Sequence, residues 1–141
     1  MTTTTTASLH WPLIIGLGAL ALVRPLASII GVTDTLGQPG TSLILTALIT
    51  TAWVLVVGCS TVARPVATLV AAGLVYAALA ALISAVLSPL LDGALTGPLT
   101  NPFALVGLLA TNALWGLVAG VLALSVQRAR GVHPPTVGAD R

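Results

Sequence analysis

The stretch WPLIIGLGALALVRPLASIIG, residues 11–31, decides the fold that we predict for this chain. Arg24 is its only charged residue, and about 20 apolar residues in a helix cross the ~30 Å hydrocarbon core of a bilayer. Pro12 suits a first helical position, because its missing N–H would be unpaired there in any case. Trp11 is typical of the headgroup level. The stretch therefore predicts a membrane-spanning helix over about residues 12–32.

The rest of the chain repeats this pattern. Three further apolar segments cover about residues 42–62, 66–87 and 103–126. The second and third spans are joined only by Ala63-Arg64-Pro65, which predicts an antiparallel helical hairpin. We expect Ser88-Pro89 to break the third helix, because proline removes a backbone donor. Asn101 precedes Pro102 and is a typical N-cap for the fourth helix.

The composition excludes a soluble globular protein. The chain is 57% hydrophobic and 6% charged, whereas soluble domains carry about 25% charged residues. The predicted fold class is therefore all-α: a polytopic integral membrane protein that forms a bundle of four transmembrane helices with short loops. The absence of Lys and Glu, with many Ala, Leu and Gly residues, favours a GC-rich bacterial source.

The charges predict an orientation in the membrane. The loop and tail arginines are Arg64, Arg128, Arg130 and Arg141. Four spans place them all on one side, which the positive-inside rule makes cytoplasmic. Asp34 and Asp92 then lie outside. We expect a flexible Thr-rich leader over residues 1–10, a membrane domain over 11–126 and a polar cytoplasmic tail over 127–141, in a bacterial inner membrane with both termini cytoplasmic.

Small residues recur every four positions on two predicted helices. The members are Gly73, Ala77, Ala81 and Ala85 on the third helix, and the GxxxG pair Gly116 and Gly120 on the fourth. Small side chains let helix backbones approach closely, and such packing drives helix association in lipid. Abundant Gly and Ala can also produce such stripes by chance. The sequence leaves open whether they face the bundle interior or a second copy of the chain.

Arg24 is the strongest functional signal. It lies eight residues from the predicted end of the first helix, which is ~12 Å by helical rise. A charge at the bilayer centre costs about 2.5–3.5 kcal/mol on insertion scales, so such residues usually face a bundle interior or a wet cavity. Pro25 leaves the Ala21 carbonyl without its helical partner and predicts a kink.

Counting inward from the helix ends places six other side chains within about one helical turn of Arg24. They are Thr50, Thr51, Trp53, Tyr76, Asn112 and Trp115. Two interpretations remain open for this group. The side chains could satisfy the guanidinium by hydrogen bonds and cation–π contacts, or they could line a cavity for an anionic or amphipathic ligand. Arg24 could also extend to the interface or contact a partner subunit.

The chain offers little for chemistry. It has no paired carboxylates, no GxSxG motif and no converging metal ligands, so we predict neither an enzyme nor a metal or cofactor site. The basic residues are too few for nucleic-acid binding. We expect a non-enzymatic accessory or scaffold protein, or a complex subunit, with membrane lipids, a second copy or another membrane subunit as partners. The alternative is a small transporter or a bundle that binds a lipid or anionic ligand around Arg24.

Overall fold

A computed structural model describes residues 9–37 and 39–132 and shows an all-helical four-helix bundle. In chain order its helices are α1 Trp11–Ala21, α2 Val23–Ile29, α3 Val32–Leu36, α4 Gly40–Gly58, α5 Pro65–Asp92 and α6 Pro102–Ala129, with a 3-10 turn at Pro98–Thr100. The described residues include four helical stretches long and apolar enough to span a membrane: α1 with α2, α4, α5 and α6. The predicted fold class is confirmed. Residues 1–8 of the predicted leader and 133–141 of the predicted tail lie outside the described residues.

The first span is interrupted near Arg24. α1 ends at Ala21 and α2 begins at Val23, and the Leu22 amide donates to the Ala19 carbonyl at 3.0 Å. The cause is Pro25, which has no N–H to offer the Ala21 carbonyl. Because α2 ends at Ile29, Arg24 lies only about 8 Å from the end of the span by helical rise. This is shallower than the predicted depth.

The third span is longer than predicted, because Pro89 does not break it. α5 has 28 residues and continues to Asp92. Proline has a helical φ and removes only one helical hydrogen bond, so a helix can pass through it near its end. The helix ends instead at Gly93, whose φ of 70° is the left-handed conformation that glycine adopts readily. Ser88 therefore lies inside α5, where it is buried.

The fourth span begins where the sequence predicts and ends later. The Asn101 carboxamide oxygen accepts from the Phe103 amide at 2.9 Å, which confirms the N-cap. α6 continues to Ala129 and so includes the first three residues assigned to the tail. Gln127, placed in that tail by its polarity, is fully buried.

α5 and α6 form the most extensive helix pair of the bundle. A methyl group on Gly116 would overlap the Leu69 carbonyl oxygen, and one on Gly73 would overlap the Asn112 carbonyl oxygen. Gly120 approaches the α5 backbone in the same way. The absence of side chains at these positions is what allows the two backbones to approach so closely.

The first span and α4 each pack against one member of this pair. α1 packs on α5, α4 packs on α6, and α1 and α2 touch α4 at few points. The main contact between α1 and α4 is a hydrogen bond from the Trp53 indole nitrogen to the Leu17 carbonyl, at 3.0 Å. Because the helices meet so little elsewhere, space remains between them on the Arg24 side of Trp53.

Candidate functional site

A cavity of about 640 Å³, which we call the central cavity, lies between the first span, α4, α5 and α6. Six of the seven side chains predicted to share a level line it: Arg24, Thr50, Trp53, Tyr76, Asn112 and Trp115. Thr51 is the exception. It is exposed on α4, and its hydroxyl donates to the Ala47 carbonyl of the same helix at 2.8 Å. The assignment of Thr51 to this site is therefore wrong.

Trp53 closes the central cavity between α1 and α4. Its side chain is 3% exposed, and its indole N–H is used by the Leu17 carbonyl. Tryptophan in membrane proteins usually lies at the interfaces, where its N–H reaches water or headgroups. Here the Leu17 carbonyl accepts the hydrogen bond in place of water or a headgroup. The ring can therefore be buried, and its apolar surface lines the cavity.

Trp115 and Thr50 form another wall of the cavity by joining α6 to α4. The Trp115 indole nitrogen donates to the Thr50 hydroxyl at 2.9 Å, and that hydroxyl donates to the Thr46 carbonyl at 2.7 Å. These two hydrogen bonds join α6 to α4 and fix the Thr50 hydroxyl on its own helix. The Thr50 oxygen accepts from the indole and not from the Arg24 guanidinium.

Asn112 is also bound within its own helix. Its amide nitrogen donates to the Leu108 carbonyl at 2.8 Å. Tyr76 is half-buried on α5 and lines the same cavity as Asn112 and Arg24. The Asn112 carboxamide and the Tyr76 phenol ring therefore line the cavity, and neither forms a hydrogen bond with Arg24.

Arg24 itself is exposed at the cavity. Among the described residues, no hydrogen bond or ion pair reaches its guanidinium. The interpretation in which neighbouring side chains satisfy Arg24 by hydrogen bonds therefore has no support in the described part of the chain. The cation remains able to bind an acceptor that enters the cavity.

A second cavity of about 470 Å³ adjoins the first, and we call it the loop-side cavity. It shares Arg24 and Tyr76 with the central cavity and follows α5 towards the loop after Asp92. Besides Tyr76, the hydroxyl and carboxylate side chains in its lining are Ser28, Ser42, Ser84, Ser88, Asp92 and Thr96. Arg24 and Tyr76 therefore lie where an apolar and a more polar cavity meet.

The loop that borders this cavity is fixed to α5. The Ser88 hydroxyl accepts from the Thr96 amide at 3.1 Å and donates to the Thr96 carbonyl at 3.2 Å. This wall is not apparent from the sequence when the third helix is expected to end at Ser88-Pro89. With the helix continued to Asp92, the spacing of Ser84, Ser88 and Asp92 indicates one polar stripe.

At the opposite end of the bundle, Gln127 was also missed. Its amide nitrogen lies 3.1 Å from the Val57 carbonyl, 3.3 Å from that of Ser60 and 3.2 Å from that of Val62. Arg130 donates to the Gly58 carbonyl at 3.3 Å. These contacts bind carbonyls at the end of α4 and in the loop that follows it, where the helical hydrogen bonds stop. This cluster therefore stabilises the fold and is not part of the cavities.

The central cavity combines one cation, three aromatic rings, an amide and several aliphatic side chains. Such a lining suits a ligand with one anionic group and an apolar body, since binding pockets are mostly apolar with a few placed polar groups. Comparison of the chain with protein-family models, with curated proteins and with solved structures gives no match.

Proposed function

We propose that this protein is a non-enzymatic multi-pass membrane protein that binds an amphipathic anion in the central cavity. The anionic group binds Arg24, and the apolar chain lies against Trp53 and Trp115. The observation that carries the proposal is the position of Arg24, on the wall of a cavity within the bundle and without a partner among the described side chains. A charge retained inside a membrane protein usually serves a ligand, an ion path or a partner charge.

The size of the cavity supports a small amphiphile. Its volume of about 640 Å³ lies within the roughly 300–1,000 Å³ of typical ligand sites. Ile49 and Leu108 add aliphatic surface, and the Trp53 and Trp115 rings add flat apolar surface. A guanidinium forms two parallel hydrogen bonds with a phosphate or carboxylate, so Arg24 suits either headgroup.

This proposal favours ligand binding over the accessory or scaffold function. An accessory or subunit role remains a prediction, in which a carboxylate of a partner would meet Arg24 instead. A stoichiometric second membrane protein that co-purifies with the native chain, and is lost when Arg24 is replaced by Gln, would favour that role.

We also propose a bacterial inner-membrane location in which the end that carries Arg64, Arg128 and Arg130 faces the cytoplasm. The positive-inside rule supports this orientation. The loop-side cavity then faces the outer leaflet. We further propose that the GxxxG pair Gly116 and Gly120 serves packing within the chain and not assembly of copies; its contacts with the α5 backbone support this.

The test measures the melting temperature of the purified protein in a neutral maltoside detergent. Dodecyl phosphate is the probe, and dodecanol is the uncharged comparison. We expect dodecyl phosphate to raise the melting temperature, because a ligand at 100 times its Kd adds about 2.7 kcal/mol to the free energy of unfolding. Arg24→Gln should abolish this rise. Arg128→Gln, at the other end of the bundle, is the matched control and should retain it.

Two results would contradict the proposal. The first is an equal rise for the native protein and Arg24→Gln, which would mean that the probe binds elsewhere. The second is an equal rise with dodecanol and dodecyl phosphate, which would mean that the anionic group makes no contribution.

A further inference from the structure

We infer that the ligand is a zwitterionic amphiphile whose primary amine binds at Asp92 while its anionic group binds Arg24. This inference rests on the proposed function and adds the class of headgroup. Arg24 and Asp92 both line the loop-side cavity. No ion pair joins them, so the guanidinium nitrogens and the carboxylate oxygens are more than 4.0 Å apart.

Arg24 and Asp92 carry opposite charges, line one cavity and do not touch. A ligand fits between them if it carries an anionic group for Arg24 and a cationic group for Asp92. Direct pairing of Arg24 with Asp92 would neutralise both groups, and the ligand would gain little from either. In the observed arrangement neither charge is neutralised by the other. The Arg24 guanidinium, and the Asp92 carboxylate beside its bond from the Thr96 hydroxyl, can each form a charge-assisted hydrogen bond with a ligand, which is roughly twice as strong as a neutral one. An anion and an amine in one headgroup would use both.

The environment of Asp92 favours a cation. Asp92 is the last residue of α5, and the C-terminal end of a helix carries a partial negative charge from its free carbonyls. A carboxylate at this position adds to that negative charge, so a nearby cation is attracted by both. The Thr96 hydroxyl lies 3.4 Å from the Asp92 carboxylate, and Ser88 holds Thr96 in place.

The lining indicates a primary amine over a quaternary one. An ammonium group has three N–H donors, and the loop-side cavity offers acceptors for them in the Ser28, Ser84 and Asp92 side chains. Quaternary ammonium groups are recognised instead by cages of aromatic rings. Of the three aromatic side chains around Arg24, only Tyr76 lines the loop-side cavity, and one ring does not form a cage.

The two cavities offer separate places for the anionic group, the amine and the apolar chain of such a ligand. Arg24 and Tyr76 line both cavities. An anionic group at Arg24 can therefore have an amine on its loop side and an apolar chain on its central side. This order of charges and chain is that of a phosphoethanolamine headgroup on a hydrocarbon tail.

The experiment compares four probes with the native protein in maltoside detergent, by isothermal titration. They are dodecyl phosphoethanolamine, dodecyl phosphocholine, dodecyl phosphate and phosphoethanolamine without a chain. We expect dodecyl phosphoethanolamine to bind about tenfold more tightly than dodecyl phosphate, the effect of one hydrogen bond to a charged group. The phosphocholine should lack this advantage, and the probe without a chain should bind more weakly than its dodecyl form.

Two variants assign the amine contact. Asp92→Asn should lower the affinity for dodecyl phosphoethanolamine to that for dodecyl phosphate without weakening the latter. Asp34→Asn is the matched control, since Asp34 lines neither cavity, and it should change nothing.

The outcomes separate the two proposals. If dodecyl phosphate binding depends on Arg24 but the amine gives no advantage, or if the advantage survives Asp92→Asn, the inference is wrong and the proposed function stands. Equal binding of phosphoethanolamine and phosphocholine also overturns it. If phosphoethanolamine alone binds as tightly as its dodecyl form, the ligand is a free solute and not an amphiphile. If no dodecyl probe binds in an Arg24-dependent way, the proposed function itself fails.

Discussion

Arg24 and Gln127 are two polar side chains of an apolar bundle, and they differ in the contacts that they make. Gln127 is fully buried and lies within hydrogen-bond distance of three carbonyl oxygens of the end of α4 and the following loop. Arg24 lines two cavities and has no such contact among the described residues. The Gln127 amide nitrogen thus serves the fold, although the carboxamide oxygen of the same side chain is buried without a partner among the described atoms. Arg24 serves no such contact and carries the proposed function, since a charge kept inside a membrane protein usually has a ligand, an ion path or a partner charge.

Gly116 shows how much the absence of one methyl group contributes to the packing of α6 against α5. Its replacement by Ala would drive a Cβ atom into the Leu69 carbonyl oxygen, which belongs to a helix backbone and cannot move alone. We expect Gly116→Ala to lower the free energy of unfolding by about 1–3 kcal/mol, as overpacking does. The measurement is unfolding by SDS in mixed micelles, followed by circular dichroism.

Gly107 is the matched control on the same helix. A Cβ atom there would meet nothing within 4 Å, and Ala is favoured over Gly in a helix by roughly 0.5–1 kcal/mol. Gly107→Ala should therefore be neutral or stabilising. Equal loss of stability in both variants would show that α5 and α6 do not pack as described.

Between helices, hydrogen bonds complement the packing of small residues. α5 and α6 meet through glycines, whereas α4 is held by side-chain contacts on both sides. Trp53 joins it to α1, and Thr50 joins it to Trp115 of α6. These contacts hold α4 at the edge of the central cavity, so they maintain the space that Arg24 faces.

The bond between Thr50 and Trp115 can be measured by a double-mutant cycle. Thr50→Val and Trp115→Phe each remove one partner and keep most of the side-chain volume. We expect a coupling energy of about 0.6 kcal/mol in the free energy of unfolding, the average for such bonds between membrane helices. The same SDS unfolding assay provides the four values.

Thr51 provides the matched cycle. It is adjacent to Thr50, but its hydroxyl bonds within α4. The pair Thr51→Val and Trp115→Phe should be additive within ~0.3–0.5 kcal/mol. Coupling that is as large for Thr51 as for Thr50 would contradict the bond described.

For the molecule as a whole, we expect the four apolar helices to place alternate loops on opposite sides of the membrane. Single cysteines at positions 34 and 92 should react with an impermeant maleimide from one side of intact cells, and cysteines at 64 and 128 only after permeabilisation. Cys59, the only native cysteine, is replaced by Ala in every variant. Labelling of positions 34 and 64 from the same side would overturn the four-span arrangement, and the reverse pattern would overturn the proposed orientation alone.

Hydropathy and charge were enough to predict four spanning helices. A backbone in lipid must satisfy its own hydrogen bonds, so a long apolar segment there has little choice but a helix. Counting along the helices also brought Arg24 to the level of Trp53, Tyr76 and Asn112, because helical rise is constant. Pro25 predicted the interruption of the first span, since its effect is local.

Only the packed structure decided which face of each helix meets which neighbour. Thr50 lines the cavity while adjacent Thr51 does not, α5 passes through Pro89 to bring Asp92 to the loop-side cavity, and Gln127 is buried at the end of α4. The physical reason is that the lipid-facing and protein-facing sides of a membrane helix are both apolar. Hydropathy therefore predicts that a residue lies away from water. Only the contacts between helices determine whether that residue meets lipid, protein or the space around Arg24.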